Sequence, residues 1–120
     1  MTTARLVSFN DEKKLEKFYD FVYGEKHILN NTAHHDWQFL SNPYNPLNTK
    51  SIVVVEDNDQ FVAHMGLIPV PVKIYNEIKL CAWHVSFFTL KQFRGIGLGT
   101  KMIQFSDSMF DGVGGMGNSD

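Results

Sequence analysis

The sequence predicts a mixed α/β domain whose mostly antiparallel sheet carries flanking helices, and three observations point there. Apolar residues recur at helical spacing near the start and again near the end of the chain. Between them, Ser51 to Leu90 is dominated by β-branched and alternating runs. A glycine-rich turn, Gly95-Ile96-Gly97-Leu98-Gly99, then joins the last long strand to the last helix. At 120 residues the chain suits one domain, residues 1–120, with a core large enough to bury about two thirds of its extended surface.

The elements follow in order. Ala4 to Phe9 is a short β-prone run, and Asn10-Asp11-Glu12 offers a cap and two acids for the first turn of a helix. Leu15, Phe18, Tyr19 and Val22 at i, i+3, i+4 and i+7 make that helix amphipathic up to Gly24. His34 to Leu40 forms a second, short helix stopped by Ser41-Asn42-Pro43, and Tyr44 to Asn48 is irregular. Ser51 to Glu56 and a run beginning at Gln60 make a hairpin about Asp57-Asn58-Asp59. Gly66, Pro69 and Pro71 suit an edge, a bulge or a bend in the second strand better than a central ladder. Val70, Val72 and Ile74 continue the alternation to a turn at Asn76-Glu77, and Ile78 to Leu90 is a long strand, completing an antiparallel meander. After Leu90 the period lengthens: Leu98, Met102, Phe105 and Met109 place a helix over Gly97 to Phe110. The final residues, 111–120, hold four glycines and no closing element.

Composition excludes several function classes. Eleven Lys and Arg against thirteen Asp and Glu leave a net charge of −2, without the basic field that nucleic-acid binding needs. The early residues hold Asp11, Glu12, Lys13, Lys14 and Lys17 and no apolar h-region, and no apolar run reaches membrane-spanning length, so neither signal peptide nor membrane partner is expected. Cys81 is the one cysteine, which rules out an intrachain disulfide and fits a reducing, cytoplasmic setting. It reads as a small buried apolar residue. His34, His35 and Asp36 read as solvated side chains rather than metal ligands, since neighbours on a helix point about 100° apart and no second cluster is visible. Neither a metal nor a role for His64 is expected.

The strand, glycine turn and helix over residues 84–110 carry the chemistry. Glycines at 95, 97 and 99 let backbone N–H groups converge without Cβ obstruction, and the first helical turn adds unpaired N–H groups and the positive end of a dipole. That is an anion cradle, and a pyrophosphate suits it because adjacent donors satisfy several oxygens at once. Arg94 and Lys101 add charge nearby. The spacing is neither the G-x-G-x-x-G of a dinucleotide site nor the G-K-[ST] ending of a P-loop.

Arg94-x-x-Gly97-x-Gly99 resembles the Q/R-x-x-G-x-G/A signature of the GNAT superfamily of acyl-CoA-dependent N-acetyltransferases. The likeness extends over Thr89-Leu90-Lys91-Gln92-Phe93-Arg94-Gly95-Ile96-Gly97-Leu98-Gly99-Thr100-Lys101-Met102-Ile103, similar to the family's "V-x-P-E-Y-R-G-x-G-I-G-x-x-L-L". Thr89, Lys91 and Gln92 depart from it at the Val, Pro and Glu positions. The upstream order of strand, two helices, hairpin and long strand also matches.

The resemblance implies that backbone amides of Gly95, Ile96, Gly97, Leu98, Gly99 and Thr100 hold the pyrophosphate of acetyl-CoA, with Arg94 beside them. It implies that Phe87, Phe88 and Thr89 offer main-chain groups to the pantetheine arm, where the strand splays from a parallel neighbour starting near Val113. Family members continue with another strand, a helix and two further strands, where the tyrosine often proposed as general acid lies. This chain stops earlier, so the expected domain lacks the carboxyl-terminal strands and is truncated or completed by a partner, as in a homodimer.

The implied reaction transfers an acetyl group from acetyl-CoA to a primary amine of a small molecule; the alternatives are a non-catalytic acyl-CoA-binding or assembly module and a phosphate-binding interaction domain. A backbone N–H around Thr89 would polarise the thioester. Near the start of that strand only His84 and Ser86 are polar, with Glu77 farther back, and His84 is the candidate catalytic base because its ordinary pKa is about 6.5. In this superfamily the early helices often line the acceptor pocket, so Trp37, Phe39 and Tyr44 either line it or serve as ordinary core and surface aromatics.

Overall fold

A computed structural model describes residues 3–24 and 27–115, and its order of elements follows the local chemistry of the chain. Strand β1 (Thr3–Leu6) is shorter than the expected run because Phe9–Asp11 winds into a 3-10 turn. Asp11 is the cause: its buried carboxylate accepts from Ser8 N–H and from Arg5 Nη1, each at 2.8 Å, which pulls the chain out of the strand. Helix α1 (Glu12–Tyr23) buries Leu15, Phe18 and Tyr19 and stops at Gly24, whose φ of +95° suits only glycine well. Helix α2 (Thr32–Phe39) starts two residues before the expected His34, because Asn31 Oδ1 caps it by accepting from His34 N–H at 2.9 Å.

Strands β2 (Ile52–Asp57) and β3 (Gln60–Ile74) form the expected hairpin, turning on Asn58 and Asp59 at φ +50° and +66°. Two left-handed residues match the twist of the strands they join. Strand β4 (Glu77–Thr89) returns after Tyr75-Asn76, and β5 (Val113–Gly115) lies parallel to β4 over Ala82–His84. Residues 116–120 of the glycine-bearing final segment, and any divergence of β5 beyond Gly115, lie outside the described residues.

The sheet order is β1-β2-β3-β4-β5, so β3 is central rather than an edge. Its prolines are accommodated by register. Partner β2 ends opposite Gly66, and beyond it Pro69 and Pro71 face only Ala82 and Leu80 of β4. Ala82 N–H donates to Gly112 O and Leu80 N–H to Asp111 Oδ2, both away from β3, so these prolines occupy positions where no ladder donor is needed. A bulge does lie beside Gly66, but on the partner strand: pairing steps from His64↔Phe88 to Gly66↔Val85, which gives the extra residue to β4 rather than to β3.

Helices α1 and α2 cover the face of β3 that carries His64 and Gly66. A Cβ at Gly66 would lie 2.4 Å from Phe39 Cε1, so the absent side chain is what admits α2 so closely. Ala63, Met65 and Leu67 are buried on the other face. Helix α3 (Leu98–Asp107) packs on β1, β2 and β3 through Leu98 and Met102 and ends before the expected Phe110, which is buried from the following turn. Among the described residues no helix is long and apolar enough to cross a membrane.

Candidate active site

The glycine turn is built as an open cradle. Gly95 and Gly97 adopt φ +81° and +84°, and a Cβ at either would meet nothing within 4 Å. Gly97 is the N-cap of α3, with no side chain capping the helix. Arg94 and Gly95 form the corner of a turn that closes on Ile96; among the described residues the backbone N–H groups of 97–100 reach no backbone carbonyl, and the helical ladder begins with Lys101 N–H to Gly97 O at 3.0 Å. Leu98 is buried and Gly99 sits beneath the surface, while Gly95, Ile96, Gly97 and Thr100 are exposed. The backbone at this helix start thus offers several donors under a positive dipole end with no Cβ in the way. That donor set fits a diphosphate.

The strand leading to the cradle presents a second set of donors. Leu90 N–H donates to Val62 O at 2.8 Å, so by alternation Phe88 directs its main-chain groups at His64 of β3 and Thr89 directs its own away from β3. The main-chain groups of Phe88 therefore face β3 rather than the side expected for pantetheine, and its half-buried ring meets Phe18 and Tyr23 of α1 edge-on, with the Arg94 guanidinium 5.0 Å from its centre. Arg94 is exposed, and its Nε donates to Thr89 O at 2.9 Å, tying the cradle to the strand. Ser86 sits at the bulge with φ +52°, unusual for a residue with a side chain, and its carbonyl accepts from His64 Nδ1 at 2.9 Å. Every peptide bond here is trans, so Phe87 N–H points opposite to the Ser86 carbonyl and away from His64 Nδ1.

His84 lies on β4 opposite Leu67, buried, on the other face of the sheet from His64. Its ring meets Phe87 edge-on at 5.5 Å, its Nδ1 has no partner among the described residues, and burial holds its pKa below the ordinary value. The Thr89 hydroxyl is likewise buried without a partner among the described residues. Trp37 and Tyr44 are exposed, whereas Phe39 is core. Cys81 is half-buried rather than buried, because it lies on the arm of β4 outside the core. Among the described residues no group of three or more His, Cys, Asp or Glu side chains could hold a metal ion.

Sequence reasoning missed a cluster beneath the bulge. His35 is not solvated but buried, beside Lys50, Tyr19 and His64. Tyr19 Oη lies 2.8 Å from His35 Nε2 and 2.7 Å from His64 Nε2, and Lys50 Nζ is 3.0 Å from His35 Nδ1. Burial lowers the His64 pKa to about 4; burial, reinforced by the Lys50 charge, lowers that of His35 to about 3. Burial also raises that of Tyr19. The one signal available was His64 itself, an ionisable residue inside the apolar run Phe61 to Leu67.

No protein-family model and no curated protein matches the sequence. Solved structures do match the fold. The chain is similar to a GNAT family acetyltransferase of Staphylococcus aureus, with TM-score 0.66 and 14% identity over 98% of this chain and 87% of that one. It is similar to glucosamine-6-phosphate N-acetyltransferase of Arabidopsis thaliana, with TM-score 0.68 and 15% identity over 98% and 83%. AAC(6')-Iy, in complex with the bisubstrate analogue CoA-S-monomethyl-acetylneamine, gives TM-score 0.66 and 7% identity over 100% and 82%. At these identities the likeness shows the fold, and the fold is of GNAT type.

Proposed function

We propose that this chain transfers the acetyl group of acetyl-CoA to a primary amine of a small-molecule acceptor. One observation carries the reading. The N–H groups of Gly97, Leu98, Gly99 and Thr100 are without backbone carbonyl partners among the described residues, at the end of a strand whose Thr89 N–H faces away from β3 and whose Phe87 N–H is turned away from His64. Acetyl-CoA would supply an activated thioester. Its diphosphate would rest on the backbone of Gly95, Ile96, Gly97, Leu98, Gly99 and Thr100, with Arg94 alongside. The side chains of Ile96 and Leu98 take no part in that contact.

As an amine lone pair adds to the thioester carbon, negative charge grows on the carbonyl oxygen. The N–H groups of Phe87 and Thr89 would meet it, and such donors gain strength in a dry site. The thiolate then leaves as the C–S bond breaks. The proton lost by the attacking nitrogen goes to His84, which burial keeps neutral at pH 7 and whose unpartnered Nδ1 is free to accept.

Titration calorimetry with acetyl-CoA followed by thiol release across an amine panel tests this. Binding heat with release of free thiol is the expected result. Heat without release would leave a non-catalytic acyl-CoA-binding module. Protection from unfolding by phosphate or ATP equal to that by acetyl-CoA would overturn the coenzyme assignment.

A further inference from the structure

Four buried polar side chains beneath the bulge form one chain of hydrogen bonds, and its two ends settle its direction. Lys50 Nζ lies 2.8 Å from Glu12 Oε1, 3.0 Å from Asp36 Oδ1 and 3.0 Å from His35 Nδ1. An ammonium only donates and has three hydrogens, so each has an acceptor and His35 Nδ1 is one of them. His35 therefore carries its proton on Nε2 and donates it to Tyr19 Oη. At the other end the Ser86 carbonyl only accepts, so His64 carries its proton on Nδ1, and its Nε2 accepts from the Tyr19 hydroxyl. Tyr19 accepts one hydrogen bond and donates one. With both rings neutral, no other arrangement satisfies all four links.

We propose that Lys50, His35, Tyr19 and His64 are a positioning relay that holds the Ser86–Phe87 peptide and passes the polarisation of the Lys50 ammonium to Phe87 N–H. This rests on the acetyl-transfer reading, in which that N–H faces the thioester oxygen. Ser86 at φ +52° has left the regular ladder, so its carbonyl needs a donor other than a ladder N–H, and the His64 side chain provides it. Each link points the same way, from the charge toward the peptide, and successive hydrogen bonds of one sense strengthen each other. A carbonyl that accepts a stronger bond makes the N–H across its own peptide a better donor. An apolar filling would stabilise the same space at lower cost than four buried polar groups, so stability alone does not account for them.

Two measurements decide it. In long-range proton–nitrogen spectra of the histidine rings at pH 7, His64 is expected as the Nδ1–H tautomer and His35 as the Nε2–H tautomer; the opposite tautomer at either ring overturns the relay whether or not the chain is an enzyme. In the same samples the Phe87 amide proton is expected to move upfield in both Tyr19→Phe and Lys50→Met, and an unmoved resonance overturns the transmission. With turnover in hand, His64→Leu should lower kcat roughly a hundredfold at nearly unchanged KM for acetyl-CoA, the scale of losing one oriented oxyanion donor. His64→Asn, whose amide nitrogen takes the place of Nδ1, should recover most of that loss. Equal loss in both variants would make His64 a packing residue. Failure of every variant and of the wild type to turn over, with the spectra as expected, would instead count against the acetyl-transfer reading.

Discussion

Two lysines each bridge a pair of carboxylates, and they do opposite things. Lys14, on the outer side of α1, contacts Glu56 and lies 3.0 Å from Asp59 at the hairpin tip, where Asp59 is almost fully exposed. Lys50, whose side chain is 4% exposed, bridges Glu12 and Asp36, and its third hydrogen points inward to His35. The same pairing yields a screened surface cluster in one place and the charged end of a directional core chain in the other. Solvent decides the difference: water and salt weaken the first, and the dry core preserves the polarity of the second.

Acidification should separate the two corners most strongly. Burial holds His35 down to about 3 and His64 down to about 4, against about 6.5 in an unfolded chain. Between pH 6.5 and 4 the unfolded chain takes up protons that the folded one refuses. Stability is therefore full above pH 6.5 and falls toward pH 4, by a sum on the order of 5 kcal/mol. Urea melts at a series of pH values check this, and a flat profile across that window would mean the rings are not buried neutral. Tyr19→Phe comes next. It strips a partner from both His35 and His64 and should cost about 3 kcal/mol in the same melts, where a cost within error of zero would break the chain at its middle.

Gly66→Ala probes what brings α2 and His35 down onto β3. Its Cβ would crowd the Phe39 ring, and a loss of about 2 kcal/mol is expected; retained stability would show that α2 shifts freely. Gly97→Ala lies outside both corners. With open space around its Cβ, the strain is confined to φ +84°, about 1 kcal/mol in stability, while acetyl-CoA affinity measured by calorimetry falls about tenfold. Lys14→Ala completes the contrast, with no resolvable change in urea midpoint at physiological salt and a small one only at low salt.

Much of the architecture was legible because it is written in short-range pattern. The stripe Leu15, Phe18, Tyr19 and Val22, the β-branched run before Asn58-Asp59 and the change of period after Leu90 each specify an element without help from distant residues. The glycine turn was legible for the same reason, since left-handed backbone at 95 and 97 is a local demand. The centrality of β3 was not. Pro69 and Pro71 look like edge markers until the register shows that β2 has ended beside them and that Ala82 and Leu80 donate elsewhere. In the sequence His35 stands between the polar His34 and Asp36 with no second cluster in view, whereas its neighbours in space are Tyr19, Lys50 and Phe39.

Period, turn chemistry and the placement of glycine are properties of consecutive residues, so the sequence by itself determines most of the elements and the left-handed backbone of the glycine turn. Residues 19, 35, 50 and 64 come from α1, α2, the lead-in to β2 and the first third of β3, and nothing in their order announces a shared site. Only the packing of two helices over one face of the sheet, with a glycine at position 66 admitting Phe39, brings those four within hydrogen-bonding distance. Tautomers, buried charge and the direction of the Ser86–Phe87 peptide follow from that approach, because hydrogen bonds act over about 3 Å and are blind to separation along the chain.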